Sequence, residues 1–472
     1  MPNDRATPEP RERILRALRA AVLTMLAVAA TMACALAIDP EPGPAILALV
    51  LCLSLSRSRL DRDLRGRLEA AAVLPVVGLA ALGVAMLLHR LPWVGAAAFV
   101  VAVSGSIWLR RFGPAGRKAG TLVALPFVVI LVCPYVPPTR VGPAMALVLP
   151  AIVSLLALAW VSACHALGLR LGWIEHAEPA EPAAPEPPAA ATAARRPLAS
   201  TRMALQMAVA LALAFAVGDA FFGAHWAWVV LTAFIVGSGN RGQLDVAVKS
   251  VLRVGGAAAG TLVALAAASA TGLGAGAHDA ATLALILGAV FLGVWLRPLG
   301  YAWWALFVTL ALALLQVYVG APVDGMLGPR LLAIVAGALI GVAAAWFVLP
   351  VRSADVARRR IADALAALSE AFDPATPQRD ARRFLARLSG VEEVAPGLRV
   401  ARHVLRARPG PKPADWIDAL AACRAPAVAL IARGETPGSV RKAVGAARKA
   451  MREPEAVGSA LEDLRRALVE RA

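Results

Sequence analysis

Three charged residues four apart raise the first chemical question. In "GQLDVAVKSVLRVGGAAAG" (242–260), Asp245, Lys249 and Arg253 recur at the interval that stacks side chains along one helix face. A long apolar run follows at once. Charges carried into such a run are costly enough to be functional suspects, and Arg253 sits deepest, beside Gly255 and Gly256. On one reading, Lys249 and Arg253 draw an anion towards the mouth of a membrane path. On another, Asp245 pairs with Lys249 while Arg253 snorkels to the interface as an anchor.

Other residues could join that chemistry. "GSGNRG" (Gly237 to Gly242) matches G-x-G-x-x-G but follows an apolar helix and lacks a βαβ unit, so a dinucleotide site is disfavoured. It reads better as a flexible helix end where Asn240 and free backbone N–H groups line a vestibule. Thr232, Gln206, Thr309 and Gln316 are polar residues inside apolar segments, suited to bonding between helices or to touching a substrate. Asp219 and His225 bracket the turn "GDAFFGAHW" and carry the groups used in proton relays, although exposed loop residues look the same. Gly256-x-x-x-Gly260 and Gly337-x-x-x-Gly341 are close-packing motifs. Trp226, Trp228, Trp303 and Trp304 fall at segment ends and fit an interfacial belt. No P-loop lysine, G-x-S-x-G elbow, H-E-x-x-H or Cys/His metal spacing occurs. We therefore expect no enzyme, metal or cofactor, and any energy for movement must come from a gradient.

The elements that would position these residues are apolar and long. Of 472 residues, 59% are hydrophobic and 17% charged, a balance rare in soluble domains. The apolar residues fall in blocks at about 14–38, 44–56, 68–88, 91–109, 119–136 and 141–167, then 203–222, 226–239, 251–271, 279–297, 301–320 and 331–349. This is an all-α polytopic membrane protein of about twelve transmembrane helices. Four arginines (Arg11, Arg13, Arg16, Arg19) precede the first block, which is too long for a signal peptide and reads as a retained span. Lys and Arg concentrate in alternate connections, among them "SRSRLDRDLRGR", "RRFGPAGRK" and "VRSADVARRR", which places both termini in the cytoplasm. The same rule accounts for the net charge of +17 without nucleic acid. The five cysteines are scattered singly and suggest no disulfide framework.

The halves also resemble one another. Each has a short second segment, 44–56 and 226–239, followed by a charged stretch, so that Asp61 aligns with Asp245, Arg65 with Lys249 and Glu69 with Arg253. Six spans per half make the repeats parallel, related by an axis along the membrane normal, and paired short segments point to a transport site. An ion pair of Glu69 with Arg253 across the repeats is a further option. The expected divisions are a first six-helix repeat at 1–173, a Pro/Ala/Glu-rich cytoplasmic linker at 174–200, a second six-helix repeat at 201–350 and an Arg-rich helical cytoplasmic domain at 351–472.

The second half resembles the fusaric-acid-resistance and aromatic acid exporter superfamily. The resemblance lies in "TRMALQMAVALALAFAVGDAFFGAHWAWVVLTAFIV", "RGQLDVAVKSVLRVGGAAAGTLVAL" and "RLLAIVAGALIGVAAAWFVLP", through Trp226, Trp228, Thr232, Gly242, Arg253 and Gly260. The first half fits only through the repeat, with Glu69 where the arginine should stand. The resemblance implies an inner-membrane efflux protein for organic or aromatic carboxylates, working with a periplasmic membrane-fusion partner; plant relatives are anion channels. The substrate-binding candidates are Arg253, Lys249, Asn240 and Thr232, and the proton-coupling candidates are Asp219 and His225. Expected partners are membrane lipid, a small organic anion and that fusion protein; a homo-oligomer is compatible, and nucleic acid is not expected. Competing readings are a passive anion channel, a major-facilitator carrier (whose D-R-x-G-R loop "LDRDLRGR" approaches with the wrong spacing) and a scaffold displaying its tail.

Overall fold

The protein is described from a computed structural model. It covers residues 10–56, 64–132, 142–174, 198–271, 280–318, 327–376, 380–404, 406, 410 and 412–472. Asp61, most of the 174–200 linker and several connecting loops lie outside these residues. Helix makes up 87% of what is described, and no strand occurs there. Backbone polar groups are thus satisfied within each segment, as a bilayer requires.

The apolar region forms α1 (Pro10–Ile38), α2 (Pro42–Leu55), α3 (Leu64–Arg90), α4 (Pro92–Trp108), α5 (Gly113–Val132) and α6 (Pro143–Arg170). It continues with α7 (Ala199–Phe222), α8 (Trp226–Gly237), α9 (Gln243–Thr271), α10 (Ala280–Leu296), α11 (Tyr301–Tyr318) and α12 (Leu327–Phe347). Proline opens α2, α4 and α6, where its missing N–H costs nothing and its fixed φ suits the first turn. Eight stretches are long and apolar enough to cross a membrane, and Pro42–Leu55 and Tyr301–Gln316 are shorter apolar helices. One of the eight, Ala199–Gly237, is broken into α7 and α8 by a turn at Gly223. Gly223 has φ +45°, a conformation that L side chains rarely adopt, so the chain can reverse there. Gly218 then lets α7 close on the Trp226 backbone. The chain is a multi-pass membrane protein.

Two compact units divide the molecule. The first comprises residues 1–238 and 250–344. In it α1 packs on α2, α6 and α10, α3 on α4, α5 and α6, α4 on α7, and α10 on α11. Its core is aliphatic with Phe99 central, meeting Phe127 and Phe215 edge-on.

The second unit comprises 345–472 and 239–249. It contains α13 (Ser353–Ala371), α14 (Arg382–Glu392), α15 (Ala395–Val404), α16 (Pro413–Ala422), α17 (Arg424–Ala432), α18 (Gly438–Ala450) and α19 (Val457–Val469). Ile361, Leu365 and Leu368 recur at helical spacing on α13 and are buried with Phe384, Ile417 and Leu461. The unit takes in residues 239–249, which the sequence divisions assigned to the second repeat. Three bonds fix them. The Gln243 N–H donates to the Val351 carbonyl (3.0 Å), the Leu244 N–H to Ser353 Oγ (3.0 Å), and Arg241 pairs with Glu393 at 3.3 Å. Gly242, at φ +123°, lies so close to Ser353 that a Cβ would stand 2.6 Å from its Oγ.

Candidate functional site

Arg253 does not lie on the surface of the first unit. Only 1% of it is exposed, and Nη1 donates to Thr309 Oγ1 at 3.0 Å. The local sequence explains this placement. Arg253, Gly256 and Gly260 share one face of α9, three and seven residues apart. Gly256 abuts Ala305 and Leu306, and Gly260 abuts Leu306 and Thr309, so α9 approaches the α11 backbone closely. At that separation the arginine reaches Thr309 directly.

A second arginine meets it there. Arg330, near the start of α12, is also 1% exposed. Its Nη2 donates to the Thr309 carbonyl (3.2 Å) and its Nη1 to Gln316 Oε1 (3.3 Å). The guanidinium carbon lies 3.9 Å from the Trp228 ring centroid, a cation–π contact worth about 2 kcal/mol when desolvated. Gly337, one further face-sharing step along α12, packs on the Val229 carbonyl and Thr232, and Gly341 on Val236. The short α8 is therefore clamped against α12, which holds Trp228 beneath Arg330.

Among the described residues the charge is not balanced locally. Arg253 bonds the Thr309 hydroxyl and Arg330 the Thr309 carbonyl, so two positive charges share one residue. Neither arginine forms an ion pair among the described residues, Glu69 included. Among the described residues, Nε and Nη2 of Arg253 and Nε of Arg330 are buried donors with no partner, and the Thr232 and Ser250 hydroxyls are likewise unpartnered. Nε and Nη2 of one guanidinium point the same way and form a fork edge that matches a carboxylate. The site presents net positive charge and buried donors without partners among the described residues, which an oxyanion can satisfy.

The remaining candidates fall elsewhere. Thr232 belongs to the same α8–α12 contact as Trp228. Lys249 and Asn240 belong to the second unit. There Lys249 pairs with Asp245 at 2.8 Å and donates to the Gly239 carbonyl at 3.3 Å, while Asn240 is buried with its Oδ1 unpartnered. Asp219 is exposed near the end of α7. His225 is half-buried in the turn before α8, its Nε2 unpartnered. Trp228 is no free interfacial belt residue, because Arg330 covers its ring. The sequence reading missed Arg330, since an arginine opening an apolar segment looks like a topology anchor. Its signal was that the α12 segment carries no other charge.

Residues 207–344 match the family described as fusaric acid resistance protein-like, a span that includes Trp228, Thr232, Arg253, Thr309, Gln316 and Arg330. No curated protein and no solved structure matches the chain.

Proposed function

We propose that the chain is an efflux transporter of the bacterial inner membrane that exports small organic anions, aromatic carboxylates foremost, driven by an ion gradient. The observation that carries this is the pair of buried arginines on Thr309, which together have three donors unpartnered among the described residues. Intramembrane charge of this kind is costly and marks a substrate path. The match of residues 207–344 to the fusaric acid resistance protein-like family supports a transport role.

The architecture we propose is twelve spans as two parallel six-helix repeats, with both termini and the helical second unit in the cytoplasm. Exchanging each helix of one half for its counterpart six later maps the α1–α10 contact onto α7–α4, and both are present. The packing of α2 on α6 in the first half maps in the same way onto the clamp of α8 on α12 in the second. A periplasmic membrane-fusion protein and a homo-oligomeric state complete the proposal. A passive anion channel is the second reading, favoured by the same arginines, because rings of basic residues select anions in pores.

The test is accumulation of radiolabelled aromatic carboxylates in efflux-deficient bacteria. Expression of the protein lowers accumulation, and Arg253→Gln or Arg330→Gln restores it with the protein still in the membrane. Unchanged accumulation of every compound, with wild-type protein present, refutes the proposal.

A further inference from the structure

A guanidinium does not shed its charge by losing a proton at any physiological pH. Arg253 and Arg330 therefore stay cationic through every step that the site undergoes. Their polar neighbours, Thr309 and Gln316, and the Trp228 face supply dipoles and a quadrupole but no negative charge. From Val246 to Pro350 the sequence contains two carboxylates, Asp279 and Asp324, both outside the described residues. Leaving one buried charge uncompensated costs several kcal/mol, and two neighbouring like charges add their repulsion. Among the described residues no carboxylate pairs with either arginine, and an anion is the compensation that their unpartnered donors are suited to take. The fork edge of Arg253 and the Nε of Arg330 are the donors that would hold it.

We propose that this site carries an anion throughout its cycle, so that an organic anion leaves only as another anion takes its place. The inference rests on the transport reading above and deepens it by making the coupling ion an anion. Charge balances when one monovalent anion enters for each monovalent anion released, or two for a dianion. The fork edge suits a two-oxygen group such as a carboxylate or sulfonate on the cargo side, while a spherical halide can occupy the same donors in exchange.

The experiment uses the full-length protein in liposomes loaded with radiolabelled phthalate, p-aminohippurate or benzenesulfonate. Valinomycin and equal potassium on both sides hold the potential at zero. The outer medium contains either chloride or polyglutamate, a polyanion too large for the site. Efflux into chloride should be at least about tenfold faster than into polyglutamate, a floor set by the cost of leaving both guanidiniums bare. Equal efflux into both media overturns the exchange and leaves a passive channel. No efflux of any probe into either medium removes the transport reading, and exchange with it. A second measurement is independent of flux. Chloride should raise the unfolding temperature of the wild type above its value in polyglutamate, and the rise should vanish in the double variant Arg253→Gln, Arg330→Gln. An equal rise in both proteins also overturns the proposal.

Discussion

Gly255 and Gly256 are neighbours on α9 that face opposite surroundings, and that contrast makes a sharp test of the site's geometry. A Cβ at Gly255 would meet nothing within 4 Å. A Cβ at Gly256 would stand 2.7 Å from Ala305 Cβ and 2.9 Å from the Leu306 nitrogen. At Gly260 it would stand 2.5 Å from the Leu306 carbonyl oxygen and 3.2 Å from Thr309 Cβ. Backbone atoms do not step aside, so α9 and α11 must part by about 1 Å to restore ordinary contact. The Arg253–Thr309 bond, 3.0 Å in the structure, then opens beyond hydrogen-bonding range. Overpacking of this kind costs about 1–3 kcal/mol, against roughly 0.5–1 kcal/mol regained from replacing a helical glycine. Gly256→Ala and Gly260→Ala should therefore lower the unfolding temperature by a few degrees, and transport should fall with it. Gly255→Ala should leave both unchanged or raise stability slightly. The assay is thermal unfolding of purified protein in detergent beside carboxylate efflux from liposomes. If all three variants behave alike, the close α9–α11 approach does not position Arg253, and the reasoning fails.

Further expectations follow from single contacts. Arg330→Met removes a buried charge that has no carboxylate partner among the described residues, so in anion-free medium it should leave the unfolding temperature unchanged or raise it while abolishing transport; a clear loss of stability there would show that the charge is compensated within the protein. Trp228→Leu deletes the ring under Arg330 and should cost about 2 kcal/mol, visible as lower thermal stability that Trp228→Phe largely spares. Ser353→Ala strands the Leu244 N–H and should cost about 1 kcal/mol, read as faster hydrogen exchange at Leu244; Ser459→Ala, whose hydroxyl bonds only its own helix, is the control. Asp418 gives a pH signature in the second unit. Partial burial raises its pKa, but the hydrogen bonds from Arg399 and Arg402, with their charges, outweigh it and hold the carboxyl below the usual aspartate range. A lowered folded pKa stabilises fully above the unfolded value near ~3.9, and the gain is lost as pH falls through the folded one. Hydrogen exchange in α15 and α16 should thus accelerate in acid, and Asp418→Asn should flatten that dependence.

The helices and most of their limits are legible in the chain. Apolar blocks of bilayer length, punctuated by proline and by basic loops, leave little freedom, and most of α1 to α12 begin and end within several residues of their blocks, although α9 opens at Gln243, well ahead of its block at about 251. The sequence also marked Arg253 as out of place and Gly256 and Gly260 as packing positions, because charge and small residues are conspicuous against an aliphatic background. What Arg253 meets is not legible there. Thr309 is 56 residues away and Arg330 a further 21, and no periodicity along the chain ties α9, α11 and α12 into one cluster. The same holds for Lys249. Its spacing from Asp245 and Arg253 is identical, yet it pairs with Asp245 while Arg253 is buried with two donors unpartnered. Helical spacing fixes which residues share a face, but what that face meets is set by packing between distant segments.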